Sequence, residues 1–174
     1  YNSSLLLKRM LKSIPERDDI QVIVVDDGSS EEHVSELKNI QHKNLEIIFL
    51  EENRGGGYAR NIGLQYAKGK WFISVDADDY FSDDAFEIFD KYKDMDIDCL
   101  GFCVQCVDTV TGRVTRDIVA NKNVSKYLEK KTQNTENLLR FNNLESWNKL
   151  VSMSFIKENN IHFENCRINI DVLY

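Results

Sequence analysis

Two groups of carboxylates stand out in this chain of 174 residues: Asp26-Asp27, and Asp76, Asp78 and Asp79 in an Asp-x-Asp-Asp run. Each closes an apolar run of strand length, residues 20–25 and 71–75, so each is expected at the carboxyl end of a strand. Open α/β sheets bind ligands in the crevice outside those ends. Aspartates crowded together repel one another, and such a group makes chemical sense when a hard cation or a donor-rich ligand arrives. Between the two groups runs Asn53-Arg54-Gly55-Gly56-Gly57-Tyr58-Ala59-Arg60-Asn61-Ile62-Gly63. Its glycines allow close backbone approach to a ligand, or simply a flexible surface loop. The segment is expected to lead into a helix that carries Arg60.

The elements needed to position these groups follow from periodicity. Leu6, Leu7, Met10, Leu11 and Ile14 recur at helical spacing until Pro15 ends the helix. A strand over 20–26 follows, then a helix that Ser29 or Ser30 can cap, with Val34, Leu37 and Ile40 on one face. Residues 45–50 read as a second strand. The glycine segment opens a helix through Ala59, Ile62, Leu64 and Ala67, and 71–75 is a third strand. A further helix starts at Asp83 or Asp84. This β-α-β-α-β-α alternation predicts a parallel sheet with crossover helices. Beyond it, 97–107 reads as one long strand and 108–114 as a hairpin connection. Residues 121–143 read as a polar, partly helical, mobile segment, and 144–160 recover helical periodicity.

Acid pair, glycine loop with arginine, and Asp-x-Asp-Asp, in that order and spacing, resemble the family 2 glycosyltransferases of GT-A fold. The resemblance covers nearly the whole chain. It implies an α/β fold, a Rossmann-like three-layer α/β/α sandwich with a mostly parallel central sheet. One domain spans 1–174, with a nucleotide-sugar-binding half over 1–107 and an acceptor-side half over 108–174. By position in the family motif, Asp78 holds Mn²⁺ or Mg²⁺, Asp76 contacts the ribose, and Asp79 lies beside them. Asp26 and Asp27 match the pair in which a carboxylate accepts from the imide nitrogen of a base, Asp27 being preferred. Arg60 matches the Ala-Arg-Asn-x-Gly pattern and would approach the nucleotide or diphosphate. Trp147, Asn148 and Lys149 resemble the family's acceptor-side Trp-Asn-Lys-Leu segment. Asp171 falls where the family has its catalytic base, with Ile170 in place of the usual glutamate.

Blander roles compete with each of these. Asp-rich turns are common, Asp and Ser cap helices everywhere, and Arg60 could simply pair with a carboxylate. A lone tryptophan near an apolar helix is usually a core residue. At the chain level the resemblance implies an inverting bacterial transferase, hexosyl or N-acetylhexosaminyl. It would move a sugar from a UDP-sugar onto a hydroxyl of a growing saccharide or lipid-linked glycan. A catalytically silent nucleotide-sugar-binding module and a receiver-like phospho-acceptor domain are the alternatives.

Composition sets the bounds. A net charge of −7 without a Lys/Arg block argues against nucleic acid as partner. No apolar run reaches the length of a membrane span, and no signal peptide is visible. Cys99, Cys103, Cys106 and Cys166 are too few for a disulfide framework, and Cys103 and Cys106, three apart in one strand, would point to opposite faces. A cytoplasmic protein is expected, with peripheral association at the inner membrane face. His33, His42 and His162 form no ligand pattern. The family begins with an apolar strand before the equivalent of Tyr1-Asn2 and continues past Tyr174, so both ends are expected to lie within a longer domain.

Overall fold

The computed structural model describes residues 2–116, 118–142 and 146–164. Helix α1 (Ser4–Lys12) buries Leu7, Met10 and Leu11, which lie three and four residues apart on one stripe. Leu6, expected on that stripe, is 40% exposed, as is Leu5 at 74%. The buried stripe meets strand β1 (Val22–Asp26) and helix α2 (Glu31–Lys38) through Val22 and Leu37. Strand β2 (Leu45–Phe49) pairs with β1 in parallel, with Asp26 opposite Phe49. Helix α3 (Gly56–Tyr66) covers β1 and leads to β3 (Trp71–Ile73). The chain is thus α/β, and β1 and β2 pair in parallel as the alternation predicts, whereas among the described residues β3 does not join them. Val75 and Ala77, just past β3, pack on the same core as α1 and β1.

Antiparallel pairing takes over beyond this point. Strand β7 (Lys149–Ser152) lies between β3 and β4 (Cys99–Gly101) and is antiparallel to both. The helix expected over 144–160 is therefore β7 followed by the short helix α7 (Met153–Glu158). Leu150 and Val151 are both buried although they are adjacent, because a central strand is covered on both faces. That removes the alternation by which a strand is recognised, and the spacing of Leu150 with Phe155 and Ile156 imitates a helix.

The long strand expected over 97–107 breaks in two. The backbone N–H of Phe102 donates to the carbonyl of Asn148, and the side-chain amide of Asn121 bonds both the N–H and the carbonyl of Val104. A side chain thereby takes the place of a neighbouring strand, and pairing resumes only at β5 (Cys106–Val107) with β6 (Val114–Arg116). Cys103 lies outside any strand, so it shares no strand with Cys106; both are free thiols, as is Cys99. The hairpin over 108–114 is present, its turn held by the Asp108 carboxylate accepting from the N–H groups of Val110 and Thr111. The polar segment after it forms two helices, α5 (Val119–Glu129) and α6 (Gln133–Phe141), the second started by a Thr132–Thr135 capping box. Helix α4 (Ala85–Tyr92) completes the described elements, and its Phe86 and Phe89 form edge-to-face contacts with Phe81.

Candidate functional site

Asp26 ends β1 and Asp27 begins the turn after it; both are buried, at 5% and 7% exposure. Burying two adjacent carboxylates is costly unless donors surround them. Asp26 accepts from the N–H and hydroxyl of Ser29. Asp27 accepts from the backbone N–H of Arg54 with one oxygen and that of Gly55 with the other, each at 2.8 Å. The carboxylate expected to meet a nucleobase therefore also fastens the glycine loop to the end of β1. Gly28 makes this approach possible: its φ is +68°, and a Cβ there would come within 2.6 Å of the backbone at Glu52 and Asn53. Neither Ser29 nor Ser30 caps α2 through its side chain. Ser29 serves Asp26 instead, and Asn2 closes over this turn, donating its N–H to the Ser29 hydroxyl and accepting from Ser30.

The fastened loop sets the position of α3 and hence of Arg60. Its guanidinium donates to the Ser74 hydroxyl at 3.1 Å and to the Asp76 carboxylate at 2.6 Å. The pairing of Arg60 with a carboxylate of the second group, weighed from the sequence as the bland reading, is thus present. It also joins the two acidic groups physically, in the series Asp27, glycine loop, α3, Arg60, Asp76. The next residue of α3, Asn61, clamps the backbone of Phe163 in both directions at 2.8 Å. Phe163 is fully buried and its ring lies under the Arg60 guanidinium. Nothing in the sequence marks this clamp, since 102 residues separate its partners.

Past β3 the chain turns back on itself, the N–H of Asp79 donating to the carbonyl of Asp76. Asp76, Asp78 and Asp79 each offer a carboxylate oxygen, and these oxygens lie within 4.8 Å of one another. The carboxyl of Asp79 is pushed up to about 6, first because neighbouring atoms strip water from it, then because Asp78 and Asp76 repel its charge. Three hard oxygen donors at this separation, one of them resisting ionisation, fit a divalent cation with oxygen ligands. Arg9 of α1 donates to the carbonyl of Asp78 and lies over the Tyr80 ring, so the turn is held from behind by a residue sequence reasoning missed.

The residues expected on the acceptor side are placed differently. Asn148 is 1% exposed and Lys149 opens β7 opposite Gly101, their side chains within 3.4 Å of each other. Trp147 is half-buried. These residues belong to the β4–β7 side of the sheet. Asp171 and Ile170 lie outside the described residues. A cavity of about 550 Å³ lies between α3 and α7, lined by Ile62, Leu64, Met153 and Ile156 among others, and none of its described lining residues carries a carboxylate.

Residues 1–151 match the model of glycosyl transferase family 2. The chain belongs to that family. The receiver-domain alternative falls with this match. Among family members, the poly(ribitol-phosphate) β-N-acetylglucosaminyltransferase TarS of Staphylococcus aureus is 35% identical over 88 residues, which are 47% of this chain and 15% of TarS. The succinoglycan biosynthesis protein ExoO of Rhizobium meliloti is 35% identical over 81 residues, covering 45% of this chain and 23% of ExoO. The crystal structure of S. aureus TarS with UDP-GlcNAc superimposes with a TM-score of 0.71 at 24% identity, covering 98% of this chain and 48% of that one. A mannosyltransferase from Pyrobaculum calidifontis, with GDP-Man and Mn²⁺, gives a TM-score of 0.63 at 18% identity, over 98% and 47% of the two chains. The fold is that of these family enzymes, and the chain spans about half the length of the solved structures and less than a quarter of these two curated relatives.

Proposed function

We propose that this chain belongs to an inverting glycosyltransferase that moves a hexose or N-acetylhexosamine from a UDP-sugar to a hydroxyl of a growing saccharide or lipid-linked glycan. The observation that carries the reading is the continuous series from Asp27 through the glycine loop and Arg60 to the Asp76, Asp78 and Asp79 carboxylates. It puts a rigid acceptor of hydrogen bonds, a cation and a cluster of hard oxygen ligands on one side of the molecule, which is what a nucleoside diphosphate requires. The bound structures of TarS with UDP-GlcNAc and of the mannosyltransferase with GDP-Man and Mn²⁺ support the same ligand class.

In this reading Asp27 keeps lone pairs for the imide N–H of the base while it holds the loop, and Asp76 meets the ribose. Arg60 holds Asp76 in place. Asp78 and Asp79 would hold Mn²⁺ or Mg²⁺, which supplies charge neutralisation for a departing diphosphate. Asp171 would take the proton of the acceptor hydroxyl, and Trp147, Asn148 and Lys149 belong to the acceptor side. Residues 1–107 form the donor half and 108–174 the acceptor half. Transfer to a lipid-linked glycan places the protein at the cytoplasmic face of a membrane.

Two measurements test this. Titration calorimetry should show UDP binding that depends on Mn²⁺ and exceeds GDP binding; stronger GDP binding would overturn the base assignment. Asp171→Asn should lower transfer by about 10²–10⁴-fold while leaving UDP affinity intact, the range typical of losing a general base. Unchanged transfer would put the base elsewhere.

A further inference from the structure

Charge is segregated along this chain. Between Arg113 and Arg140 there are seven Lys or Arg residues against three Asp or Glu, in a molecule whose overall balance is −7. Helix α5 carries Lys122 and Lys126, and Lys130 follows at its C-cap. Its inner side is fixed to the body, with Ala120 and Asn123 buried, Asn121 bonded to the Val104 backbone, and the Asn123 amide donating to the Leu138 carbonyl of α6. On the outer side Val119, Lys122, Lys126, Glu129 and Lys130 are exposed at spacings of three and four, a single row along the helix. Among the described residues these lysines take part in no ion pair, whereas Arg140 on α6 is paired with Glu136. The row carries three lysines against Glu129, so its net charge is positive and it is attracted to an anionic surface.

Apolar side chains accompany the lysines. Val119 on α5 and Phe141 on α6 are each more than half exposed, at 59% and 67%. The Asn123–Leu138 bond sets α5 and α6 side by side, so that Phe141 and Val119 fall at the same end of the pair. A soluble polyanion offers nothing to such side chains, while the headgroup region of a bilayer takes both a cationic row and shallow apolar contacts.

We propose that the α5–α6 pair is a docking face for an anionic lipid surface. This rests on the membrane-face location in the proposed function, and it adds the surface responsible. The face is tied to the body through Asn121 and the Val104 backbone, so docking would orient the whole molecule.

Vesicle co-sedimentation of the full chain tests it, using phosphatidylglycerol–phosphatidylcholine mixtures against pure phosphatidylcholine. Binding should require the anionic lipid and fall as NaCl is raised. A lysine near such a surface is worth about fivefold in partitioning, so K122E/K126E should lose at least about 25-fold. V119S/F141S should weaken binding with no change in its salt dependence. The Mn²⁺-dependent thermal shift with UDP should stay intact in all variants, so loss of the lipid face and failure of the donor reading are distinguishable. No preference for anionic vesicles, equal binding by K122E/K126E, or binding of soluble polyphosphate in preference to vesicles would each overturn the proposal.

Discussion

Asp26-Asp27 and Asp76-x-Asp78-Asp79 are chemically alike in sequence and opposite in their surroundings. The first pair is buried and accepts from donors on Ser29, Arg54 and Gly55. In the second group, Asp78 and Asp79 are exposed and close to one another, and Arg60 bonds Asp76. A buried carboxylate that accepts two backbone N–H bonds is part of the scaffold, since removing it strands those donors. A cluster of carboxylates near water, with Asp79 resisting ionisation, is unfavourable until positive charge reaches it. The first group should therefore control stability, and the second the response to a cation.

The largest effect is expected just beside the first group. Gly28→Ala introduces a Cβ 2.6 Å from backbone atoms of the loop at a residue with φ of +68°. Overpacking and a left-handed alanine together should cost about 3 kcal/mol or more, read as a lower urea midpoint and loss of UDP binding. Wild-type stability in this variant would mean that the loop does not close on β1.

Asp27→Ala comes next. It leaves the N–H groups of Arg54 and Gly55 without their acceptor and should destabilise by about 2–3 kcal/mol, with Asp27→Asn recovering part because its one amide oxygen satisfies one donor. Chemical denaturation of both variants decides this, and equal stability of Asp27→Ala and wild type would return Asp27 to a pure ligand role.

Asp78→Asn should leave the fold unchanged and reduce Mn²⁺ affinity by about tenfold or more, close to 1.4 kcal/mol, measured by calorimetry in the presence of UDP. A fall in stability instead would move Asp78 into the scaffold class and break the contrast.

The smallest change sharpens the comparison most. The native carboxyl of Asp79 titrates near 6, above its ordinary 3.8, so the folded state binds its proton more tightly than the unfolded chain does. Stability from this group is present at low pH and lost as pH rises from about 4 through 6. Asp79→Asn should then raise the midpoint of melting at pH 7 without metal, by about 1 kcal/mol after allowance for solvent screening, and make no difference near pH 4. Mn²⁺ affinity of the wild type should increase as pH rises through about 6, because the proton and the cation compete. A flat profile would exclude Asp79 from the cation site.

The sequence by itself determined the order of the motifs, the β-α-β-α alternation and the strand ends on which the carboxylates sit. These are local matters: apolar runs bounded by turns, and glycine or aspartate where the chain must bend. It also carried enough to indicate the family that the comparison later established. What it did not determine were the long-range exchanges of polar groups. Asn121 in place of a strand neighbour for Val104, Asn61 clamping Phe163, and Arg9 behind the Asp78 turn all join residues separated by 17 to 102 positions. Their side chains give no periodic signal, because each satisfies one particular backbone group.

The same cause explains the misread segments. A central strand such as β7 is buried on both faces, so it loses the alternation that announces it, and its place between β3 and β4 is fixed by pairing across the sheet. Sequence alone identified which residues are acidic and roughly where they lie. Only the tertiary structure assigned one pair to hold the loop and left the other cluster facing water, because burial and donor supply depend on what the distant chain brings alongside.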